Sequence, residues 1–537
     1  MKWWGWGNTE IKWQLAHELR ALLCERVGVA IREAHSPTAQ PHLPPAQPLA
    51  PPGLFEADGP ARLAHCAGRS TPDLLRLRWD RVKTAPDAVA YPRSIDEVKA
   101  LLRWAADEKV AVVPFGGGTS VVGGVAPLRG EQHAVVTMDL RRLNRFLELD
   151  EVSGLARVEC GLLGPDLEAE LARRGFSLGH FPQSFEYSTV GGWIAARSAG
   201  QNSTLHGKIE DLVSAVKLSS PCGEIANREL PASAAGPALR ELLVGSEGSL
   251  GVLTEASLRV HRLPSTTRYA SFFLRSYAEG VDVVRELMQN GPRPSVLRLS
   301  DETETALHLI LGGANASRAV RLARRLGKSP WLDGAHLLVG FEGSAATVES
   351  NLRHTRYLAR RSVDGGVFFV GGAPGRRWEA ERFELPYLRD TLLDMGLVVD
   401  TFETAATWSR LPDLYSAMLA ALQELGVPLV LTHLSHAYRD GASLYFTWIS
   451  DGPDPDQALE MWERIKARSA QVILDFGATL SHHHGVGTDH RPYLATELGG
   501  GQLELLRAAK AHCDPAGIMN PEKLLPAARH GTCTTGL

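Results

Sequence analysis

Cysteine is sparse and unpatterned in this chain: six stand in 537 residues, at 24, 66, 160, 222, 513 and 533, and none forms a C-x-x-C pair. That spacing excludes a disulfide framework and a structural zinc site, and it fits a reducing compartment. No hydrophobic run approaches the length of a membrane-spanning helix. The opening MKWWGWGNTE has neither the apolar core of a signal peptide nor a transit-peptide composition. A cytoplasmic location is expected, with peripheral membrane contact at most. Charge of one sign is also missing: 57 basic against 61 acidic residues give a formal net charge of -4. No global field therefore steers the protein toward nucleic acid or an anionic bilayer. Hydrophobic residues make up 44% and charged residues 22%, the balance of an ordinary globular protein, and the length allows two or three domains with their own cores. No internal repeat is visible.

Two familiar phosphate loops are absent as well. No lysine stands where a Walker loop needs one, and no glycine run satisfies G-x-G-x-x-G. What stands at 110–124 instead is VAVVPFGGGTSVVGG, an apolar run that breaks into glycines. It reads as a strand feeding an anion cradle. Gly116, Gly117 and Gly118 lack a β-carbon, so the backbone can turn sharply and bring its amides close to a pyrophosphate, with the Thr119 and Ser120 hydroxyls as further donors. Alone, such a loop is more economically a glycine turn between strands. Two more glycine-rich segments change that balance. QSFEYSTVGGWIAARSAG at 183–200 is rich in hydroxyls and small residues and suits a flat aromatic ligand. LVGSEGSLGVL at 243–253 is a strand interrupted by Gly245, Gly248 and Gly251.

Along the chain, residues 10–29 carry helical spacing, and the proline-rich stretch 35–53 cannot continue a helix. Trp3, Trp4 and Trp6 read as packing anchors. Ser94 and Glu97 form a capping box ahead of Val98, Leu101, Leu102 and Ala105, which share one helical face. LGPDLEAELARRG predicts another helix, ended by Gly175. The alternation of short strands and helices predicts an α+β fold. Mixed strands and helices between 265 and 475 read as a cap domain; ASRAVRLARRLGK is a basic amphipathic helix there, and GGAPGRRWEAE at 371–381 reads as a mobile loop.

Three histidines in a row, His482, His483 and His484, need more than a core explanation, since each buried imidazole requires partners. If ATLSHHHG is extended, His482 and His484 point to one face and His483 to the other. No third ligand at recognisable spacing accompanies them, so no metal is expected. Proton transfer without a large pKa shift is the preferred reading. In SLYFTW, Leu444, Phe446 and Trp448 share a face and Tyr445 and Thr447 the other. By pattern alone Tyr445 is a packing residue, and Arg389, beside Tyr387 and Asp390, is a helix-face ion pair, although a guanidinium also suits a phosphate ester.

The ordered set PFGGGTSV, FEYSTVGGW with GKIEDLV, and GSEGSLG resembles the PCMH-type FAD-binding domain of the vanillyl-alcohol-oxidase superfamily. KWWGWG, PYLRD, GASLYF, SHHHGVG and NPEKLL, in that order, narrow the resemblance to the alkyldihydroxyacetonephosphate synthase family over nearly the whole chain. The resemblance implies a PCMH-type FAD-binding domain at 76–264 and an α/β cap domain at 265–475. It places a helical lead and connector at 1–75 and the histidine loop with a helical C-terminal segment at 476–537. It implies FAD contacts at Phe115, Gly116, Gly117, Gly118, Thr119, Ser120 and Val121. The second group is Gln183, Ser184, Phe185, Glu186, Tyr187, Ser188 and Thr189, followed by Ala196, Arg197, Ser198 and Ala199. The last is Gly245, Ser246, Glu247, Gly248, Ser249, Leu250 and Gly251. Gln183 stands where the family usually has Asp, which puts one flavin contact in question.

By the same resemblance Arg389 holds substrate, Tyr445, His482, His483 and His484 are catalytic, and Arg298 gives structural support. The activity implied is ether-lipid synthesis, exchanging the acyl group of acyl-dihydroxyacetone phosphate for a long-chain fatty alcohol with no net oxidation. FAD is expected to be non-covalent, because Thr119 and Ser120 occupy the loop where covalently linking relatives carry histidine. A homodimer is compatible with the family. The family's peroxisomal targeting extension is absent, which points to a prokaryotic member or another compartment. The alternative activity is an FAD-dependent D-2-hydroxy acid dehydrogenase, whose histidine motif usually reads E-H-G; His483 in the glutamate position favours the synthase. A flavoprotein that only binds is disfavoured because Arg389, Tyr445 and the histidine triplet stand together.

Overall fold

The computed structural model describes residues 1–9, 13, 15, 17–28, 32–311, 313–452 and 454–526. Cys533 and the rest of the expected C-terminal segment beyond 526 lie outside them, as do residues 10–12, 14, 16 and 29 of the first expected helix, whose described part is His17–Val27.

Helix Ile95–Glu108 starts where the Ser94 side chain accepts the Glu97 amide at 3.2 Å, and it ends at Lys109 in the left-handed region. Val98, Leu101, Leu102 and Ala105 are its buried face, as their spacing predicts. It packs on a four-stranded sheet ordered Phe55–Glu56, Ala88–Ala90, Ala134–Asp139, Val110–Phe115. Val110–Phe115 pairs in parallel with Ala134–Asp139 and lies at the edge, so the glycine loop leaves an edge strand. A five-stranded antiparallel sheet follows, ordered Phe146–Asp150, Leu155–Glu159, Val252–Arg259, Val213–Ser220, Gly223–Ala226. The chain returns late to the first sheet: Met519 bridges to Val112, and Ile518 and Met519 are fully buried in that core.

The third sheet has seven antiparallel strands, in the order Phe368–Gly371, Thr266–Leu274, Ala335–Gly343, Val296–Ser300, Leu429–Ala437, Gly441–Asp451, Leu397–Thr407. Helices Tyr277–Asn290, Ala345–Arg361, Leu411–Glu424 and Pro455–Asp475 cover one face, where Leu444, Phe446 and Trp448 are buried. Tyr445 and Thr447 point to the other face, as alternation along a strand requires. The two halves meet at a seam where the His206 and His261 rings stack at 4.1 Å and His206 Nε2 lies 2.5 Å from Glu342 Oε1. His206, His261 and Glu342 bring three possible ligand atoms within 4.8 Å of one another, and one Glu342 oxygen is already paired with the His206 nitrogen.

The fold is α+β, as expected. The proline-rich stretch forms no helix, and the basic helix appears as Gly313–Arg325, with Leu322 exposed. One expectation fails: 371–381 is no mobile loop but contains helix Ala373–Glu381. Pro374 sits in its first turn, Arg377 pairs with Glu381 one turn on, and Gly375 packs so tightly on Tyr269 that a β-carbon would lie 2.3 Å from the ring-bearing carbon. Among the described residues no helix is long and apolar enough to cross a membrane.

Candidate active site

The open face of the seven-stranded sheet, the three glycine-rich segments and helix Leu385–Asp394 enclose one cavity of about 1100 Å³. All of Phe115, Gly116, Gly117, Gly118, Thr119, Ser120 and Val121 line it. The glycines are required by the neighbouring segment. A β-carbon on Gly116 would lie 2.3 Å from Thr189 Oγ1, and one on Gly117 only 1.7 Å from the Tyr187 carbonyl oxygen. A side chain on Gly117 would therefore meet the neighbouring loop, so close packing of loop against loop also requires this glycine. Gly118, at φ +66°, supplies the turn. The Ser120 hydroxyl accepts the Gly124 amide at 2.9 Å, and the Asn520 amide clamps the carbonyls of Gly124 and Glu247. The result is a wall of backbone without bulky side chains, which fits an extended dinucleotide.

Several of the expected cofactor residues face elsewhere. Gln183, Ser184, Ser188 and Thr189 line the cavity, whereas Phe185 packs in the core, Glu186 is exposed, and the Tyr187 hydroxyl meets that of Tyr387 at 3.0 Å. The Gln183 amide donates to the Arg382 carbonyl, tying this segment to the cap. Ala196, Ser198 and Ala199 line the cavity, while Arg197 turns away to Glu210 and Glu241. Of the third segment, Glu247, Gly248 and Gly251 face inward. Gly245, Ser246, Ser249 and Leu250 do not: the Ser249 hydroxyl is spent on the Ser246 carbonyl, and Leu250 is fully buried.

The histidine loop is not extended. Residues 482–484 form a bend around a carboxylate that sequence reasoning missed, Glu403 of strand Leu397–Thr407. Glu403 accepts the amides of His482, His483 and His484 at 2.6, 3.2 and 2.9 Å and the Ser481 hydroxyl at 2.9 Å. Glu247 accepts the amides of Val486 and Gly487 at 2.6 and 2.7 Å, so two carboxylates hold the two halves of the loop. Burial pushes the Glu247 carboxyl up to about 7 against those two amides. The bend turns His483 and His484 into the cavity and His482 away from it, the reverse of the pairing that alternation predicts. His482 instead lies 2.7 Å from the Tyr438 hydroxyl and 3.0 Å, nitrogen to nitrogen, from His483. Hydrogen bonds thus run from the cavity through His483 and His482 to Tyr438.

Burial lowers all three imidazoles, so the expectation of an unperturbed pKa does not hold. For His484 the Glu403 carboxylate, 3.1 Å from Nδ1, opposes that shift. Glu403 is also, in space, the third group beside His483 and His484 that sequence spacing lacks for a metal, but its oxygens are already taken by the loop's donors.

The Tyr445 ring stacks on His433 at 4.9 Å, lies 5.8 Å edge-on from His484, and its hydroxyl donates to Thr401 at 2.9 Å. Burial pushes this phenol up to about 12. His433 shares Glu304 with Arg298, whose guanidinium donates at 2.8 Å. Burial raises the Glu304 carboxyl, but Arg298 and His433 outweigh it and hold it well below the carboxylate range. Arg298 both supports and lines the cavity. Arg389 lines it too and is not the helix-face ion pair its neighbours suggest: Asp390 is taken by Lys2 at 2.9 Å, and Arg389 donates to the Arg69 carbonyl. Thr401, Glu403 and His433 carried no local signal, since each is one of several polar residues in its strand; only cross-strand pairing brings Glu403 and His433 to Tyr445.

A family model described as an FAD binding domain matches residues 86–227, and one described as the C-terminal domain of FAD linked oxidases matches residues 263–524. With the backbone wall, these define the chain as a two-part flavoprotein whose cofactor is FAD. Alkyldihydroxyacetonephosphate synthase of Dictyostelium discoideum is 33% identical over 481 residues, covering 87% of this chain and 78% of that one. Alkyldihydroxyacetonephosphate synthase of Trypanosoma brucei brucei is 34% identical, covering 88% and 78%. A solved alkyldihydroxyacetonephosphate synthase structure superimposes with a TM-score of 0.83 at 29% identity over 98% of this chain and 99% of its own. The chain belongs to the alkyldihydroxyacetonephosphate synthase family.

Proposed function

We propose that this protein is an FAD-dependent alkyldihydroxyacetonephosphate synthase, exchanging the acyl group of acyl-dihydroxyacetone phosphate for a long-chain alcohol. The observation that carries the reading is the continuity of one cavity. It joins the backbone wall, the Tyr445, His483 and His484 cluster, Arg389, and an apolar arm lined by Leu19, Leu23, Leu307, Leu392, Leu431 and Ile449. Such an arm suits alkyl and acyl chains, and a buried guanidinium suits a phosphate ester.

The residues that would hold FAD are those of the three segments that line the cavity, with no covalent link. When bound, FAD supplies the electrophile that activates the substrate's first carbon for exchange without net oxidation. Arg389 grips the phosphate and orients that carbon. His484, neutral because it is buried and positioned by Glu403, accepts a proton from the carbon and returns it once the alcohol has entered, and Tyr445 and His483 donate to the departing carboxylate and accept from the entering alcohol. The apolar arm excludes water, so the alcohol rather than hydroxide completes the exchange. We take 76–264 as the cofactor domain and 265–475 as the cap.

The test is purified protein with the acyl ester and a labelled alcohol, flavin absorbance being followed in the same cuvette. Labelled ether should form with no electron acceptor, and the flavin should be oxidised after each cycle. Lasting bleaching by a D-2-hydroxy acid, with colour restored by oxygen or a quinone, would replace this reading with the dehydrogenase.

A further inference from the structure

Residues 1–9 do more than anchor the chain. The Lys2 amide donates to the Gly7 carbonyl at 2.7 Å, closing a strap that lies on helix Leu385–Asp394. Asp390 receives the Trp6 amide at 2.7 Å and the Lys2 ammonium at 2.9 Å. The strap seats only because of its glycines: a β-carbon on Gly5 would lie 2.2 Å from the Asp390 carboxylate, and one on Gly7, at φ +63°, 2.0 Å from the Tyr387 hydroxyl.

Seated this way, Trp6 is 4% exposed, packs edge-on against Tyr187 and lines the same cavity as Arg389. Its indole Nε1 has no hydrogen-bond partner among the described residues. A packing role gives no reason for that, since a buried N–H left without an acceptor is destabilising. Two buried cations near the strap, Arg389 on the cavity wall and Arg69 behind it, also lack a salt bridge among the described residues. Arg389 donates to the Arg69 carbonyl, and Arg69 to the carbonyls of Gly68 and Lys2. The Nε atoms of both are unpartnered, and neither makes an ion pair with a carboxylate among the described residues. Oδ2 of Asp390, the nearest acid in sequence, receives Lys2 and the Trp6 amide, and its Oδ1 faces Arg78 at 3.8 Å rather than forming a salt bridge with Arg389. An orphaned donor and a guanidinium without a salt bridge on the wall of one cavity, with Arg69 packed behind that guanidinium, describe a place for an anion.

We propose that the strap completes the anion end of the cavity, with Trp6 Nε1 donating, alongside Arg389, to the phosphate of a phosphomonoester substrate. This rests on the synthase reading above. Trp6→Phe keeps the ring packing and removes the N–H. In the flavin-loaded protein it should raise KM for acyl-dihydroxyacetone phosphate about tenfold or more, the scale of a hydrogen bond to a charged group, and leave KM for the alcohol where it was. Gly5→Ala, which drives a methyl into Asp390 and lifts the strap with its indole intact, should give the same split between the two substrates. Arg389→Lys separates the two levels of inference. A raised KM for the ester in Arg389→Lys with no change in Trp6→Phe or Gly5→Ala overturns the strap and leaves the synthase reading standing. Failure of the parent protein to turn over the ester removes both.

Discussion

Glu403→Gln isolates the carboxylate around which the histidine loop is bent. The substitution keeps size and shape but removes the charge and turns one acceptor oxygen into a donor. Glu403 Oε1 serves the Ser481 hydroxyl and the amides of His483 and His484, while Oε2 serves the His482 amide alone. The glutamine oxygen will therefore keep the three-donor side, and its NH2 will face the His482 N–H. One buried donor is left unsatisfied, at about 1–3 kcal/mol, and the remaining bonds lose their charge assistance. A total of about 3 kcal/mol follows, which for a cooperative unit of 150–250 residues lowers Tm by about 6–12 °C. His483 and His484 ride on this loop, and a displacement of about 1 Å at a reacting group costs about a hundredfold in rate. Because Glu403 opposes the burial of His484, its loss also moves the acid limb of kcat/KM to lower pH. Scanning calorimetry, turnover against pH and flavin content measure these effects. A variant with parental Tm and turnover within twofold would refute the claim that this carboxylate holds the loop.

Tyr445→Phe should cut turnover about a hundredfold with flavin content intact, the usual scale for a group in the proton path; full activity with flavin bound would end that assignment. Gly117→Val should lose FAD, because its β-carbon would collide with the Tyr187 carbonyl oxygen and part the two loops; the 450 nm band after purification reads this. Acid precipitation should release all the yellow colour from the parent protein, and colour left in the pellet would reveal a covalent link. Stability should fall as pH drops below the ordinary histidine value of 6.5. Burial depresses His180, His336 and His436 to about 3 and His261 and His308 to about 4, so the unfolded chain binds more protons in that window. Glu247 and Asp301, raised to about 7, and Asp489, raised to about 6, act in the opposite sense but are fewer, so Tm measured from pH 7 to 5.5 should decline; a rise would show that the carboxyls dominate.

The parts legible without a structure were those governed by neighbours in the chain. Ser94 and the apolar spacing after it determine helix Ile95–Glu108, and alternation along Gly441–Asp451 places Leu444, Phe446 and Trp448 in the core and Tyr445 in the cavity. The glycine segments marked the cofactor wall, because a missing β-carbon is a local property. Tertiary structure alone decided which residues of those segments face inward, since that depends on how loops 115–121 and 183–189 press together. It also reversed the histidine pairing. Alternation assumes that backbone amides are bonded to a neighbouring strand, whereas those of 482–484 are bonded to a carboxylate about eighty residues away, and a backbone bent around one anion no longer alternates. The same holds for Arg389 and the N-terminal strap. Adjacent Asp390 looks like the partner of Arg389 in the sequence, but its Oδ2 is taken by Lys2 and Trp6 from the far end of the chain and its Oδ1 faces Arg78, while Arg389 lines the cavity.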